Sequence, residues 1–241
     1  ELVEKFGVSD MTIRRDLEFL EKEGFLKRIH GGAELLPVKN YEPTVAARLQ
    51  SRRDEKESLV LNALKEIQGD ETILLDAGST TYMLAQRLPN TSNLTVVTNS
   101  LDIASETLRR NINTIMLGGV LIPTTSSGVG LLTQESLRQL SVNKLFLGTS
   151  GITIEHGFSN DNLFEVEVKR LMIQVSREVI VLADASKFGR KSLGTFASFD
   201  DVHRVYTNWN APEPMVNAMR KNGIEVCVAQ KILGSGEGDY A

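Results

Sequence analysis

The stretch Thr72-Ile73-Leu74-Leu75-Asp76-Ala77-Gly78-Ser79-Thr80-Thr81 carries a dense set of groups able to hold a ligand. A short apolar run reads as a buried strand and ends in an acid. Glycine and three hydroxyls come next, then an amphipathic segment from Tyr82 to Leu88. Strand, Gly/Ser/Thr loop and helix is the arrangement in which backbone N–H groups at a helix start meet an anion. The same residues also serve as a plain turn and N-cap, so the other loops must decide between the two.

Ligands of open α/β sheets sit outside the carboxyl ends of the strands. The later strand-like runs lead into Thr98-Asn99-Ser100, Gly118-Gly119, Gly148-Thr149-Ser150-Gly151 and Asp184-Ala185-Ser186-Lys187. Brought to one rim, these loops suit a polyhydroxylated anion. Amides and hydroxyls meet phosphate and sugar oxygens, a lysine supplies charge, and carboxylates accept sugar hydroxyls. Asp161, Glu165 and Lys169 fall at i, i+4, i+8 on one face of a helix capped by Asn160 or Asp161. Glu165 before Lys169 is equally the favourable order for a surface ion pair worth roughly 0.3–0.5 kcal/mol. Lys56 heads the apolar stripe Val60, Ala63, Leu64, Ile67, from where it can reach a pocket or snorkel to solvent. His156 and Gly157 lie in a long loop that could face the ligand. No Cys/His ligand spacing occurs, so neither a metal nor another cofactor is expected.

The elements that must position these groups alternate. Strand-like runs are Thr72–Leu75, Leu94–Val97, Thr114–Leu117, Leu145–Leu147, Val179–Leu182, Val205–Thr207 and Glu225–Val228. Helical patterns are Tyr82–Leu88, Leu101–Arg109, Leu132–Leu140, Leu163–Ser176 and Pro214–Lys221. The pattern predicts a doubly wound, mostly parallel α/β domain over residues 56–233, with the last strands open as an exception. Residues 37–55 read as a linker, and 234–241, rich in glycine, as a flexible tail.

Residues 1–36 read differently. A short helix through Leu2, Val3 and Phe6 ends at Gly7, and Ser9 caps a second helix from Asp10 to Glu23, closed by Gly24. Ile13, Leu17 and Leu20 form its buried stripe. Thr12, Arg14 and Arg15 stand at its start, as in a recognition helix that enters the major groove N-terminus first. Phe25 to Leu35, with Gly31-Gly32 at its middle, reads as a basic hairpin, or wing. Glu1 to Gly32 holds six Lys/Arg and seven Asp/Glu, with the acids Glu18, Glu21 and Glu23 late in the helix. The candidate DNA contacts are Ser9, Met11, Thr12, Arg14, Arg15, Lys27, Arg28, His30 and Gly31. Without this segregation the segment would be a charged amphipathic helix with a solvated face.

Composition sets the bounds. Hydrophobic content of 41%, charged content of 24%, a net charge of −4 and a pI of about 5.5 describe an ordinary globular chain whose DNA contacts must be local. The lone Cys227 sits in an apolar run and suits a small core position in a reducing cytoplasm. No apolar run approaches the roughly 20 residues of a membrane span, so no membrane is expected.

Val8-Ser9-Asp10-Met11-Thr12-Ile13-Arg14-Arg15-Asp16-Leu17, Gly24 and Arg28-Ile29-His30-Gly31-Gly32-Ala33 resemble the DNA-binding signature of the DeoR family of bacterial sugar-operon regulators. Asp76 to Thr81, Val96 to Ser100, Leu117-Gly118-Gly119, Gly151-Ile152, Glu165 to Arg170 and Ala183 to Gly189 resemble that family's sensor domain. The resemblance implies a fold similar to ribose-5-phosphate isomerase and recognition of phosphorylated sugars or related metabolites. It points to Arg48 or Lys56, with Asp184 and Lys187, as effector-responsive positions. It also implies a further helix before the first, roughly 15–20 residues of a three-helix domain. The expected partners are operator DNA, a phosphorylated sugar and a second copy, as dimer or tetramer. The full effector set is Lys56, Asp76, Gly78, Ser79, Thr80, Thr81, Thr98, Asn99, Ser100, Gly118, Gly119, Gly151, Asp161, Glu165, Lys169, Asp184 and Lys187. The alternative is a sugar-phosphate isomerase with an accessory module, using Asp161, Glu165 and Lys187 as base and electrophile.

Overall fold

A computed structural model describes residues 2–22, 26–29, 31–35, 43–89 and 93–231. It divides into two compact units, Glu1–Glu42 and Pro43–Ala241. In the first unit, α1 (Leu2–Phe6) ends where the Gly7 N–H bonds the Val3 carbonyl at 2.9 Å, with Gly7 at φ 64°. Ser9 Oγ accepts the Thr12 N–H at 3.2 Å and opens α2 (Asp10–Lys22). Strands β1 (Leu26–Ile29) and β2 (Gly32–Leu35) pair antiparallel around Gly31, whose φ of 86° glycine adopts without strain. Ile13, Leu17 and Leu20 are half-buried and Leu26 is buried. Glu23, Gly24, Phe25 and His30 lie outside the described residues, as do residues 37–42 of the expected linker 37–55 and the tail 234–241.

The second unit opens with α3 (Val45–Gln50) and α4 (Arg53–Ala63), so within the expected linker 37–55 residues 45–50 and 53–55 are helical and belong to this unit. Then come β3 (Thr72–Leu75), α5 (Ser79–Ala85), β4 (Thr95–Thr98), α6 (Leu101–Arg109), β5 (Asn113–Met116), β6 (Val120–Ile122) and β7 (Ser127–Val129). After α7 (Leu131–Arg138) the chain forms β8 (Val142–Gly148), β9 (Gly151–Thr153), β10 (Gly157–Asn160), α8 (Leu163–Gln174) and β11 (Ser176–Leu182). The unit closes with β12 (Gly194–Ala197), β13 (Arg204–Asn208), α9 (Glu213–Lys221) and β14 (Glu225–Ala229).

Seven strands form one sheet in the order β14-β13-β11-β8-β3-β4-β5, and every pairing is parallel, including the last strands. Burial on both faces explains the nearly continuous apolar strands. Alternate residues feed two cores. Ile73, Leu75, Phe146 and Ile180 meet Leu59, Val60 and Leu84, while Leu74, Leu145, Val179 and Val181 meet Val166, Met172 and Val216. The strand order reverses between β3 and β8, where a crevice is expected. A small sheet, β12-β10-β9, and the hairpin β6–β7 stand in stretches read as loops. Strands of three or four residues leave too little alternation to announce themselves.

Two helix boundaries shift for local reasons. α5 begins at Ser79 rather than Tyr82 because Gly78 is its N-cap, which places the hydroxyls inside the first turn. α8 is capped by neither Asn160 nor Asp161 but by Asn162, whose Oδ1 accepts the Phe164 N–H at 2.9 Å.

Candidate functional site

At the strand reversal, Asp76 stands directly after β3 and is 2% exposed. Its Oδ2 accepts the Gly148 N–H at 3.0 Å and the Lys169 ammonium, so β3, β8 and α8 are tied at one atom. Lys169 also donates to the Gly148 carbonyl at 3.0 Å and lies 5.3 Å from the centre of the Phe196 ring. Burial pushes the Asp76 carboxyl up, against the pull of Lys169.

Glu165, one turn earlier on α8, does not pair with Lys169. Its Oε1 accepts the hydroxyls of Thr125 at 2.6 Å and Ser127 at 2.7 Å, and its Oε2 accepts the Asn160 amide at 2.6 Å. Both residues are buried, so the surface ion pair, the alternative reading of their spacing, does not form. Asp161 turns elsewhere, to Arg190 at 2.8 Å. His156 lies in the turn between β9 and β10, with Nε2 3.0 Å from Lys191 Nζ.

Thr98, Asn99 and Ser100 are buried and lock the chain to itself. Thr98 Oγ1 donates to the Leu75 carbonyl at 2.7 Å, Asn99 Oδ1 accepts the Ala77 N–H at 3.1 Å, and Ser100 Oγ caps α6. Thr81 Oγ1 returns to the Gly78 carbonyl at 3.0 Å, while Ser79 and Thr80 are buried in the first turn of α5. At Gly119 a Cβ would stand 2.5 Å from the Val129 carbonyl, and at Gly151 2.2 Å from the Arg190 carbonyl. Close approach of the chain to itself accounts for glycine there. Gly118 accepts the Thr133 hydroxyl at 2.5 Å through its carbonyl.

A second cluster stands at the end of β11. Asp184 is 1% exposed and its Oδ1 accepts the Ser186 N–H at 3.0 Å, capping the turn Ala185–Lys187. Lys56 is 4% exposed, and its ammonium donates to the carbonyls of Arg48 and, at 2.7 Å, Ser51, holding the end of α3. Burial lowers Lys56 to about 8, with Asp184 opposing and Lys187, Arg48 and Arg52 adding to the fall. Burial likewise lowers Lys187, opposed by Asp184 and reinforced by Arg48 and Arg190. Lys56 therefore feels Asp184 and Lys187 although the sequence separates it widely from that turn.

Sequence reading missed Asn208, Thr125, Ser127 and Arg190. Asn208 ends β13, its Oδ1 accepts the Ala185 N–H at 2.7 Å, and its buried Nδ2 has no hydrogen-bond partner among the described residues. Inspecting the carboxyl end of each strand, carried one strand further, reaches it. Thr125 and Ser127 carried no signal because their hairpin was not foreseen.

In the first unit, Thr12 Oγ1 lies 2.9 Å from Ser9 Oγ, and Arg14 is held by Asp10 at 2.8 Å. Arg28 donates to Glu18 at 2.8 Å, and its N–H donates to Glu21 at 2.7 Å. The late acids of α2 thus anchor the wing rather than standing apart from it. Met11 is 78% exposed, and Arg15 and Lys27 are also exposed. No helix among the described residues is long and apolar enough to cross a membrane, and no three metal-ligating side chains converge there.

The family model of the DeoR C-terminal sensor domain matches residues 51–208, and that of the DeoR-like helix-turn-helix domain matches residues 1–37. The chain is 37% identical over 227 residues to the uncharacterised HTH-type transcriptional regulator YulB of Bacillus subtilis (strain 168), covering 94% of this chain and 88% of that one. It is 33% identical over 227 residues to the glycerol-3-phosphate regulon repressor of Escherichia coli (strain K12), covering 94% and 90%. Ribose 5-phosphate isomerase A from Methanocaldococcus jannaschii superimposes with a TM-score of 0.44 at 18% identity, over 58% of this chain and 56% of that chain.

Proposed function

The chain belongs to the DeoR family of helix-turn-helix transcriptional regulators, and from that premise we propose that it represses a carbohydrate-metabolism operon under the control of a phosphorylated sugar. It is a DNA-binding regulator and not an enzyme, in keeping with relatives named as regulators and repressors. The isomerase alternative loses its constellation as well, because Asp161 is engaged by Arg190 and Glu165 by three neutral donors.

The observation that carries the effector reading is the pair of lysines around Asp184. Lys56 and Lys187 each sit where burial and like charge disfavour the ammonium form. A bound anion relieves both costs. The unmatched Nδ2 of Asn208, beside the Asp184 turn through Ala185, adds a donor. That a relative represses a regulon named for glycerol 3-phosphate supports a phosphorylated polyol or sugar as the ligand class. The effector acts by binding the DNA-competent and released states with different affinity.

The test is thermal melting against a panel of phosphorylated sugars, with their unphosphorylated counterparts as controls. At ~100 times its Kd the cognate ligand adds about 2.7 kcal/mol. The shift is expected to vanish in Lys187→Ala. It is also expected to shrink as pH is raised through about 8, where Lys56 loses its charge while the phosphate keeps its own. A shift common to phosphorylated and plain sugars, or one that survives Lys187→Ala, would overturn the assignment.

On the DNA side, Arg15→Ala is expected to weaken operator binding by about 1–3 kcal/mol if the guanidinium reads a base. Arg15 is exposed near the start of α2. A gel-shift titration at fixed salt that shows no change removes Arg15 from the reading set.

A further inference from the structure

Between α3 and α4 the backbone is strained. Arg52 stands at φ 53° and ψ 41°, in the left-handed region. Asp70, Asn93 and Asn111 share that region and are residue types that enter it readily, whereas a long side chain does so at a cost. Arg52 is also the N-cap of α4, where Ser, Thr, Asp or Asn is usual, and its side chain makes no cap hydrogen bond. Nothing local favours this conformation, so the surrounding structure must hold it.

The hold is Lys56. Its ammonium donates to the carbonyls of Arg48, in the last turn of α3, and Ser51, the residue before Arg52. These two bonds clamp the end of α3 onto the first turn of α4. The start of α3 is fixed separately: the Val45 N–H donates to the Thr124 carbonyl at 3.2 Å, and Val45 is buried. Two of the three ammonium donors are therefore occupied by neutral acceptors. A phosphate is a charged acceptor, and hydrogen bonds to it are roughly twice as strong. Asp184 and Lys187 already act on Lys56 electrostatically, so an anion held at that cluster competes for the same ammonium.

We propose that Lys56 is a latch: an anion bound beside Lys187 draws the Lys56 ammonium off the Arg48 and Ser51 carbonyls, and the strained Arg52 junction then relaxes and frees the end of α3. The proposal rests on the effector reading above and deepens it, from where the anion binds to what its binding releases. Relief of the strain at Arg52 offsets part of the cost of breaking the two bonds. Because α3 is the first helix of the second unit, the freed segment is the one the chain enters from the DNA-binding unit.

Arg52→Gly and Arg52→Ala test the latch as a pair. Both remove the guanidinium, but only glycine removes the strain, so the two differ in how firmly the junction is held. A ligand is coupled to that difference only if the junction changes when it binds. Inorganic phosphate, titrated calorimetrically at fixed pH and ionic strength, is expected to bind about fivefold more weakly to Arg52→Gly than to Arg52→Ala. Hydrogen exchange needs no substitution at the junction. The N–H groups of Arg48 and Ser51 are bonded within α3, and in the wild type amides 48–51 are expected to lose protection on phosphate saturation. In Lys56→Gln they are expected to be poorly protected without phosphate. Equal affinity in the glycine and alanine variants, or wild-type exchange at 48–51 that phosphate leaves unchanged, would overturn the latch while the anion site stands. Phosphate that binds neither the variants nor the wild type would overturn the latch together with the effector reading beneath it.

Discussion

Lys169→Met is expected to destabilise the chain by about 3–5 kcal/mol, the cost of leaving a buried carboxylate without its partner. Both side chains of the Asp76–Lys169 pair are 3% exposed, so solvent cannot replace the lost ammonium. The Gly148 N–H remains on Asp76 Oδ2 but offsets only part of the loss. The pH dependence has a definite sign. Burial raises the Asp76 carboxyl in the folded chain, so the folded state holds its proton at pH values where the unfolded chain has released it. Stability contributed by this group therefore falls as pH rises from the ordinary carboxylate range through the raised value. Without Lys169 the carboxyl rises further. The deficit of Lys169→Met, read from urea midpoints, should thus shrink on acidification, and adding Asp76→Asn should recover part of it. A deficit that does not change with pH would show that the lysine acts through packing against Phe196 instead.

Glu165→Ala is expected to cost about 3 kcal/mol, because three buried donors lose their acceptor at once. Thr125 and Ser127 come from the β6–β7 hairpin and Asn160 from the end of β10, and Glu165 is the point at which they meet. Glu165→Gln should cost under about 1 kcal/mol by the same reasoning. Its amide nitrogen can face the two hydroxyls, which rotate to accept, while its oxygen keeps the Asn160 amide. Equal losses in the two variants would mean that the negative charge, and not the acceptor geometry, is what the site requires. Denaturant unfolding of both variants distinguishes the cases.

These two residues also show where spacing stops being informative. Glu165 and Lys169 are an i, i+4 pair, and on an exposed helix they would bond to each other. On α8 that face is buried. Lys169 turns to Asp76, which is distant in sequence, and Glu165 turns to the hairpin that ends at β7. Neither partner can be read from the helix. The loops after the strands behaved in the same way. Their residue types announced polar contact, yet Thr98, Asn99 and Ser100 spend it on neighbouring backbone, as Gly119 and Gly151 spend their missing side chains on close approach.

By itself the sequence determined the helix-turn-helix with its hairpin, the alternation of strands and helices, and so the parallel sheet. Those features rest on local rules: the period of apolar residues, the Ser9 cap, and glycine at Gly7 and Gly31. Thr72–Leu75 and Leu101–Arg109 fall where the periodicity puts them. Only the tertiary structure decided which charges meet. The strand reversal between β3 and β8, the small sheet of β9, β10 and β12, and the burial of Lys56 beside Asp184 and Lys187 all join residues far apart in the chain. An ion pair's partner is set by low-dielectric geometry across the fold, and no pattern along a single segment carries that information.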